Sequence, residues 1–183
     1  MKIAITQRQI EINGFVHDCL DPNWYKLFKG HELIIIPNLI NIDLDIDIDM
    51  LVVSGGSHSD ARYKTELLVC DWAMRNGVPI LGVCHGAFFL NYAFKGINAE
   101  IEDHRNVEHI IIMEDQEYTV NSYHDLCIYE LGKDLTPIAW AGDHIEAFKH
   151  VDLPIWGLVW HPERMAAPVL PHDVIELLYG NII

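Results

Sequence analysis

The segment Val78–Phe94 constrains the fold of this chain more than any other part of the sequence. It begins with the apolar run VPILGV and continues, after Cys84-His85-Gly86, as AFFLNYAF, which favours a helix. A continuous apolar strand is typical of a parallel sheet that is buried on both faces. A strand that passes into a helix through a turn flanked by glycines is typical of doubly wound α/β domains. The sequence therefore predicts a side chain displayed at the carboxyl edge of such a sheet.

The other predicted elements fit the same alternation of strands and helices. A helix over Thr65–Gly77 is predicted to be capped by Thr65 and to bury a stripe of Leu67, Cys70 and Met74. Strands are predicted at 2–8, 31–38 (a buried strand) and 50–54, and helices at 22–28 and 171–180. The second half adds strands at 109–113, 118–125, 136–141, 144–150 and 155–163. We predict a single domain over residues 1–183: a flavodoxin-like, three-layer open α/β sheet, mostly parallel, with extra antiparallel strands in its second half.

Charge and composition argue against several classes of function. The chain carries 12 Lys and Arg against 27 Asp and Glu, a formal net charge of −15, so we expect no nucleic-acid partner. No apolar run approaches the roughly 20 residues that span a bilayer, and we see no signal peptide, so we expect a cytoplasmic protein without a membrane partner. The cysteines are scattered without CxxC spacing, which favours reduced thiols over a zinc site: Cys19, Cys70, Cys84 and Cys127.

An acidic stretch precedes the third predicted strand. Aspartates alternate with aliphatic residues within Ile40–Gly56, but the stretch lacks the central glycine and the terminal glutamate of a calcium loop. We therefore predict a solvated edge or connector here, and we expect no metal and no organic cofactor.

Cys84 is the candidate nucleophile. It lies between Gly82 and Gly86 at the start of a predicted helix, where helix N–H groups favour a thiolate and can bind a developing oxyanion. The alternative is a buried, inert cysteine, which is the usual state of a free thiol.

A thiolate needs a base, and the base needs a group that orients it. His161 follows an apolar strand in the stretch WGLVWHPER, and Glu163 lies two residues later. Each residue is weak evidence alone. Their joint occurrence with a glycine-flanked cysteine predicts a triad of Cys84, His161 and Glu163.

Several motifs occur in the order seen in one enzyme family. The chain resembles the class I glutamine amidotransferases, and within them the stand-alone γ-glutamyl hydrolases, in GVCHG (82–86), WGLVWHPE (156–163), LVVSGG (51–56), VNSYHD (120–125) and GDHIEAF (142–148). The resemblance implies that Cys84 attacks a γ-glutamyl carbonyl and forms a thioester, that His161 gives a proton to the leaving amine, and that water releases glutamate. It also implies that backbone N–H groups of Gly56 and His85 form the oxyanion hole.

The substrate-binding residues are predicted less directly. Phe88 occupies the position where glutamine-dependent members carry a glutamine that fixes the amino-acid part of the substrate. Ser122 and His124 are two apart on a predicted strand and share a face. The Tyr123 side chain is therefore expected to point to the opposite face, into packing. The full set of candidates for substrate contact is Gly55, Ser122, Tyr123, His124, Arg8, Phe88 and Arg105, of which the two arginines suit a carboxylate or phosphate.

Three functions are compatible with these residues. The first is a γ-glutamyl hydrolase, with γ-glutamyl-CDP-amidate, which relatives in bacterial surface-polysaccharide pathways cleave, as the leading substrate. The second is a glutaminase subunit that delivers ammonia to a separate synthetase partner. The third is a non-catalytic module, or a chaperone or glyoxalase of the DJ-1 superfamily, in which Glu163 would have no role because the acidic partner there precedes the nucleophile. A homo-oligomer is compatible with each of them.

Overall fold

The computed structural model describes residues 1–39, 46–102 and 104–180. Along the chain the strands are β1 (Lys2–Thr6), β2 (Arg8–Ile12), β3 (Phe15–Cys19), β4 (Glu32–Ile36), β5 (Met50–Val53), β6 (Ile80–Val83), β7 (Ile97–Glu100), β8 (Arg105–Met113), β9 (Gln116–Tyr123), β10 (Leu126–Glu130), β11 (Leu135–Ala141), β12 (His144–His150) and β13 (Ile155–Leu158). The helices are α1 (Asn23–Leu27), α2 (Asp60–Asn76), α3 (His85–Ala93) and α4 (His172–Tyr179), and a 3₁₀-helix spans Pro162–Arg164.

The parallel part of the main sheet has the order β4-β1-β5-β6-β13. Numbered by their succession along the chain, these strands run 2-1-3-4-5, which is the flavodoxin-like order. The topology reverses between β1 and β5, where Ala4 pairs with Leu51. The predicted fold class is therefore confirmed.

Antiparallel strands extend the sheet beyond β13. Strand β12 pairs with β13, β11 with β12, β8 with β11 and β9 with β8, while β10 pairs with β12 and β7. The extra antiparallel strands of the second half were predicted, whereas β7, β10 and the separate β2–β3 hairpin were not. The hairpin was missed because its residues are largely exposed and lack a buried face.

Hydrophobic packing on both faces of the parallel strands gives three layers. Ile3 belongs to a hydrophobic cluster that also includes Trp24 of helix α1 and Val174 of helix α4. The next residue of β1, Ala4, belongs to a second cluster that includes Val69 of α2. Because neighbouring strand residues face opposite sides, the two clusters lie on opposite faces of the sheet.

Helix α2 begins earlier than predicted. Its N-cap is Ser59, whose hydroxyl accepts a hydrogen bond from the Arg62 backbone N–H at 3.2 Å, so Thr65 is an interior residue and not the cap. Leu67 is 39 % exposed, while Arg62 and Glu66 are fully buried. The predicted stripe was wrong at Leu67 because periodicity of apolar residues cannot detect a helix that buries an ion pair.

Two strands also differ from the prediction. Strand β13 ends at Leu158, so His161 lies in the connection that leads to the 3₁₀-helix. Strand β4 is only partly buried, because it lies at the sheet edge.

The prediction for the acidic stretch falls partly on residues 40–45, which lie outside the described residues. Beyond them, Asp49 accepts a hydrogen bond from the Lys2 backbone N–H at 2.7 Å. Among the described helices, none combines the length and apolar character that a membrane span needs.

Candidate active site

The carboxyl ends of four parallel strands bring the predicted site residues together. Arg8 follows β1, Gly55 follows β5, Cys84 follows β6, and His161 follows β13. These strands surround the point where the strand order reverses, which is where open α/β sheets form their binding crevices.

The turn that carries Cys84 is tight. Cys84 has φ 51° and ψ −105°, and its N–H donates to the Leu158 carbonyl at 2.7 Å. A Cβ atom at Gly86 would lie 2.0 Å from the Val53 carbonyl oxygen, and one at Gly82 would lie 2.6 Å from the Gly86 carbonyl carbon. Both flanking glycines are therefore required by close backbone approach, and the turn projects the thiol into the crevice.

His161 is held by Glu163 and contacts Cys84. The His161 Nδ1–H donates to Glu163 Oε1 at 2.7 Å, and both side chains are buried. Burial lowers the pKa of His161, but the neighbouring Cys84 sulfur and Glu163 carboxylate outweigh burial and raise the pKa to about 9. The imidazole is consequently protonated at neutral pH and lies beside the sulfur, an arrangement suited to proton transfer.

Two further residues fix the position of His161. The Asn121 carboxamide donates to the His161 carbonyl and accepts from the His161 N–H, both at 2.9 Å. The Tyr123 ring lies edge-on to the imidazole at 5.6 Å between ring centroids, and the Arg164 guanidinium lies 5.0 Å from the centroid of Tyr123.

The glycine loop after β5 runs against the same imidazole. A Cβ atom at Gly55 would lie 2.4 Å from His161 Cε1, and one at Gly56, where φ is 133°, would lie 2.6 Å from Arg8 Cβ. His85 is the first residue of α3, where backbone N–H groups have no partner within the helix. Gly56 and His85 both line the same cavity as Cys84, so their backbone N–H groups remain the candidate oxyanion donors.

These residues line a cavity of about 560 Å³, which is a typical volume for a small-molecule site. Its walls are Arg8, Gly56, Ser57, His58, Cys84, His85, Phe88, Arg105, Asn106, Tyr123, His124, Asp125, Leu126, His161 and Arg164.

The side chains of VNSYHD are arranged differently from the predicted alternation. Ser122 is fully buried outside the cavity, and its hydroxyl donates to the His104 carbonyl. Tyr123 lines the cavity instead of pointing into packing. His124 lines the cavity as well. Because β9 ends at Tyr123, His124 lies beyond the strand and is released from the strand alternation.

The two predicted arginines both line the cavity, but they differ in their hydrogen-bond partners. Arg105 pairs with Asp125 at 2.9 Å on the exposed rim. Arg8 Nε is buried and has no hydrogen-bond partner within the described part of the chain. Arg164 was not predicted, although it directly follows Glu163 in the sequence, and its Nε lies 3.5 Å from Glu163 Oε1.

A group of histidines lies beside the cavity wall that His124 forms. The His104 ring lies 5.5 Å, 5.6 Å and 5.7 Å from the rings of His109, His124 and His144, respectively. The His124 Nδ1–H donates to the Leu126 carbonyl at 2.6 Å, and burial lowers its pKa, so the ring is neutral at neutral pH. Over residues 1–39, 46–102 and 104–180, no three metal-ligating side chains are arranged to hold an ion.

Comparisons with known proteins identify the family to which the chain is similar. Residues 27–172 match the family model of glutamine amidotransferase class-I. The γ-glutamyl-CDP-amidate hydrolase of Campylobacter jejuni is 31 % identical over 90 % of each chain. The glutamine-hydrolysing GMP synthase subunit of Archaeoglobus fulgidus is 25 % identical over 89 % of each chain.

A solved structure of a GMP synthase subunit from Thermoplasma acidophilum has the same fold. It superimposes with a TM-score of 0.74, at 22 % identity, over 98 % of this chain and 92 % of that one. Sequence, fold and the arrangement of the sheet edge lead to one assignment: this chain belongs to the class-I glutamine amidotransferase family.

Proposed function

We propose that the protein hydrolyses a γ-glutamyl amide bond, with Cys84 as the nucleophile, His161 as the acid and base, and Glu163 as the residue that orients His161. The observation that carries the proposal is the buried 2.7 Å hydrogen bond between His161 and Glu163, formed beside a cysteine in a left-handed turn. A merely structural cysteine needs neither a strained turn nor an oriented imidazole.

The chemistry proceeds in two steps. The Cys84 thiolate attacks the γ-carbonyl carbon, and the N–H groups of Gly56 and His85 stabilise the oxyanion that forms. His161 donates its proton to the leaving nitrogen, the C–N bond breaks, and a γ-glutamyl thioester remains. Water then attacks the thioester and gives its proton to His161, and the C–S bond breaks to release glutamate and restore the enzyme.

The leading substrate is γ-glutamyl-CDP-amidate, the substrate named for the Campylobacter jejuni relative. The cavity concentrates Arg8, Arg105 and Arg164 in a chain whose formal net charge is −15, which suits a substrate with carboxylate and phosphate groups. Phe88 lines the cavity where glutamine-dependent relatives carry a glutamine, and this favours a conjugate over free glutamine.

A second groove gives the leaving group of such a conjugate a place to bind. It has a volume of about 530 Å³, is rich in aromatic side chains such as Tyr63, Phe89 and Tyr92, and shares His58, His85, Phe88 and Leu126 with the first cavity. Aromatic rings at the mouth of a cavity that attracts anions suit a planar base attached to phosphates.

The alternative is a glutaminase subunit that supplies ammonia to a separate synthetase. The similarity to the glutamine-hydrolysing GMP synthase subunit of Archaeoglobus fulgidus supports this candidate. It predicts that the protein alone releases negligible glutamate from glutamine and that the partner stimulates this release. A DJ-1-like or non-catalytic module is disfavoured, because the hydrogen bond to His161 gives Glu163 a specific task.

The decisive experiment measures glutamate release by the purified protein from glutamine, a γ-glutamyl alkylamide and γ-glutamyl-CDP-amidate, with Cys84→Ala as the control. Release from a conjugate but not from glutamine supports a free-standing hydrolase. Release from glutamine that is stimulated by an added synthetase supports the glutaminase alternative. Glutamate release that persists in Cys84→Ala contradicts the proposed mechanism.

A further inference from the structure

Helix α2 buries an ion pair directly beneath the glycine loop. Arg62 and Glu66 are fully buried, and the Arg62 Nε–H donates to Glu66 Oε1 at 2.7 Å. Burial raises the pKa of Glu66, but hydrogen bonding to His85 and the charge of Arg62 outweigh burial and hold the pKa below its usual value. A buried ion pair is seldom more stabilising than apolar residues of the same size, so its presence here calls for another explanation.

Arg62 binds the backbone on both sides of Gly56. Its Nη1 donates to the Gly55 carbonyl at 3.3 Å and to the Ser57 carbonyl at 3.4 Å, and its Nη2 donates to the Ser54 carbonyl. A planar guanidinium can bind several carbonyls in a fixed geometry, whereas an ammonium group cannot. The Arg62 side chain therefore holds the peptide group that carries the Gly56 N–H.

Glu66 connects this loop to the turn that carries Cys84. Its Oε2 accepts a hydrogen bond from His85 Nε2 at 2.8 Å. Its Oε1 also accepts from the Thr6 hydroxyl at 3.2 Å, and that hydroxyl accepts from the Ser54 N–H at 3.1 Å. A continuous set of hydrogen bonds thus joins the loop after β5 to the first residue of α3.

We propose that Arg62 and Glu66 are positioning residues that fix the separation of the two oxyanion donors, the N–H groups of Gly56 and His85. The inference rests on the proposed hydrolysis, since only that reaction assigns a task to these N–H groups. Charge developing on the carbonyl oxygen in the transition state requires donors that are already in place. Loss of this positioning therefore lowers kcat and leaves KM almost unchanged.

Arg62→Lys tests the proposal, because it keeps the charge opposite Glu66 and removes the planar fork. Arg75→Lys is the matched control: Arg75 lies on the same helix and forms an exposed pair with Asp71. We expect kcat for a γ-glutamyl amide to fall roughly 10- to 100-fold in Arg62→Lys, as for misplaced catalytic groups, and to stay unchanged in Arg75→Lys. Alkylation of Cys84 by iodoacetamide forms no oxyanion and should keep its rate in both variants.

A second measurement does not depend on turnover. Amide chemical shifts and ¹⁵N order parameters of Gly56 and His85 should change in Arg62→Lys and stay as in the wild type in Arg75→Lys. Unchanged values at both residues overturn the positioning role, and so does an unchanged kcat. If the wild type hydrolyses no γ-glutamyl substrate, the proposed function fails while the amide data still decide the positioning.

If Arg62→Lys does not fold, a less disruptive pair of variants tests the same proposal. Thr6→Val removes the hydroxyl that links Ser54 to Glu66 but leaves the ion pair in place, whereas Thr6→Ser keeps the hydroxyl. We expect kcat to fall several-fold in Thr6→Val and to be restored in Thr6→Ser. Equal kcat values in the two variants overturn the proposal.

Discussion

Asn121 and His161 are joined by two hydrogen bonds of 2.9 Å, which connect the side chain of the first to the backbone of the second. The contact ties the connection after β13 to β9, although the two strands are not neighbours in the sheet. His161 therefore owes its backbone position to Asn121 and its ring orientation to Glu163.

Asn121→Ala should lower both stability and activity. It leaves the buried His161 N–H without its partner, at about 1–3 kcal/mol for an unsatisfied group. It also removes a donor to the His161 carbonyl, which still accepts from the Arg164 N–H at 3.1 Å. We expect a lower free energy of unfolding in urea, and a roughly tenfold or greater loss of kcat/KM at a temperature where the variant is folded. Asn76→Ala, at the exposed end of α2, is the control. Wild-type activity in Asn121→Ala would show that His161 does not need this contact.

The cysteines should differ in reactivity. Cys84 opens into the cavity, whereas Cys70 is buried in α2, where burial and the charge of Glu66 raise its pKa well above the usual value. Iodoacetamide at neutral pH should therefore label Cys84 before Cys70 and abolish glutamate release in parallel, as followed by peptide mapping and activity in the same samples. Inactivation that tracks labelling of any other cysteine would contradict the assignment of the nucleophile.

The raised pKa of His161 predicts a basic limit to activity and a pH-dependent stability. Its folded pKa, about 9, lies above the usual 6.5, so its stabilising contribution is complete below pH 6.5 and is lost as the pH rises through about 9. kcat/KM should fall over the same upper range, because neutral His161 has no proton for the leaving nitrogen. Glu163→Gln should move that limit to lower pH, since the carboxylate helps to raise the pKa of His161. A profile that stays flat through pH 9 would count against His161 as the acid.

The backbone at Cys84 should make glycine more stabilising than alanine at this position. A non-glycine residue in a sparsely populated region of φ and ψ costs about 1–3 kcal/mol, and Cys84 has φ 51° and ψ −105°. We expect Cys84→Gly to unfold at higher urea concentration than Cys84→Ala. The control is the same pair of substitutions at Cys70. There the alanine variant should be the more stable, because alanine in a helix interior is favoured over glycine by about 1 kcal/mol. If alanine is more stable than glycine at both positions, the backbone at Cys84 is not strained.

The sequence predicted the sheet, the turn at Cys84 and the approach of His161 because each depends on short-range patterns: an apolar run, flanking glycines and the end of a strand. It failed where long-range contacts decide. Ser122 is buried outside the cavity and Tyr123 lines it, the reverse of the expected environments, while His124 lies beyond the end of β9, where strand alternation no longer applies. Nothing in the sequence pattern singles out Arg62 and Glu66, because the partners that make their burial favourable lie in the glycine loop and at His85.

The arginines of the cavity also govern how a substrate arrives. A multiply charged anion approaching this protein meets a surface with 27 acidic and 12 basic side chains, and is repelled over most orientations. The mouth bearing Arg8, Arg105 and Arg164 provides a local attraction. Dissolved salt therefore acts in two opposing ways, since it screens both the general repulsion and the local attraction. A neutral amide meets neither effect, so its encounter with the cavity should depend much less on salt concentration than that of a charged conjugate.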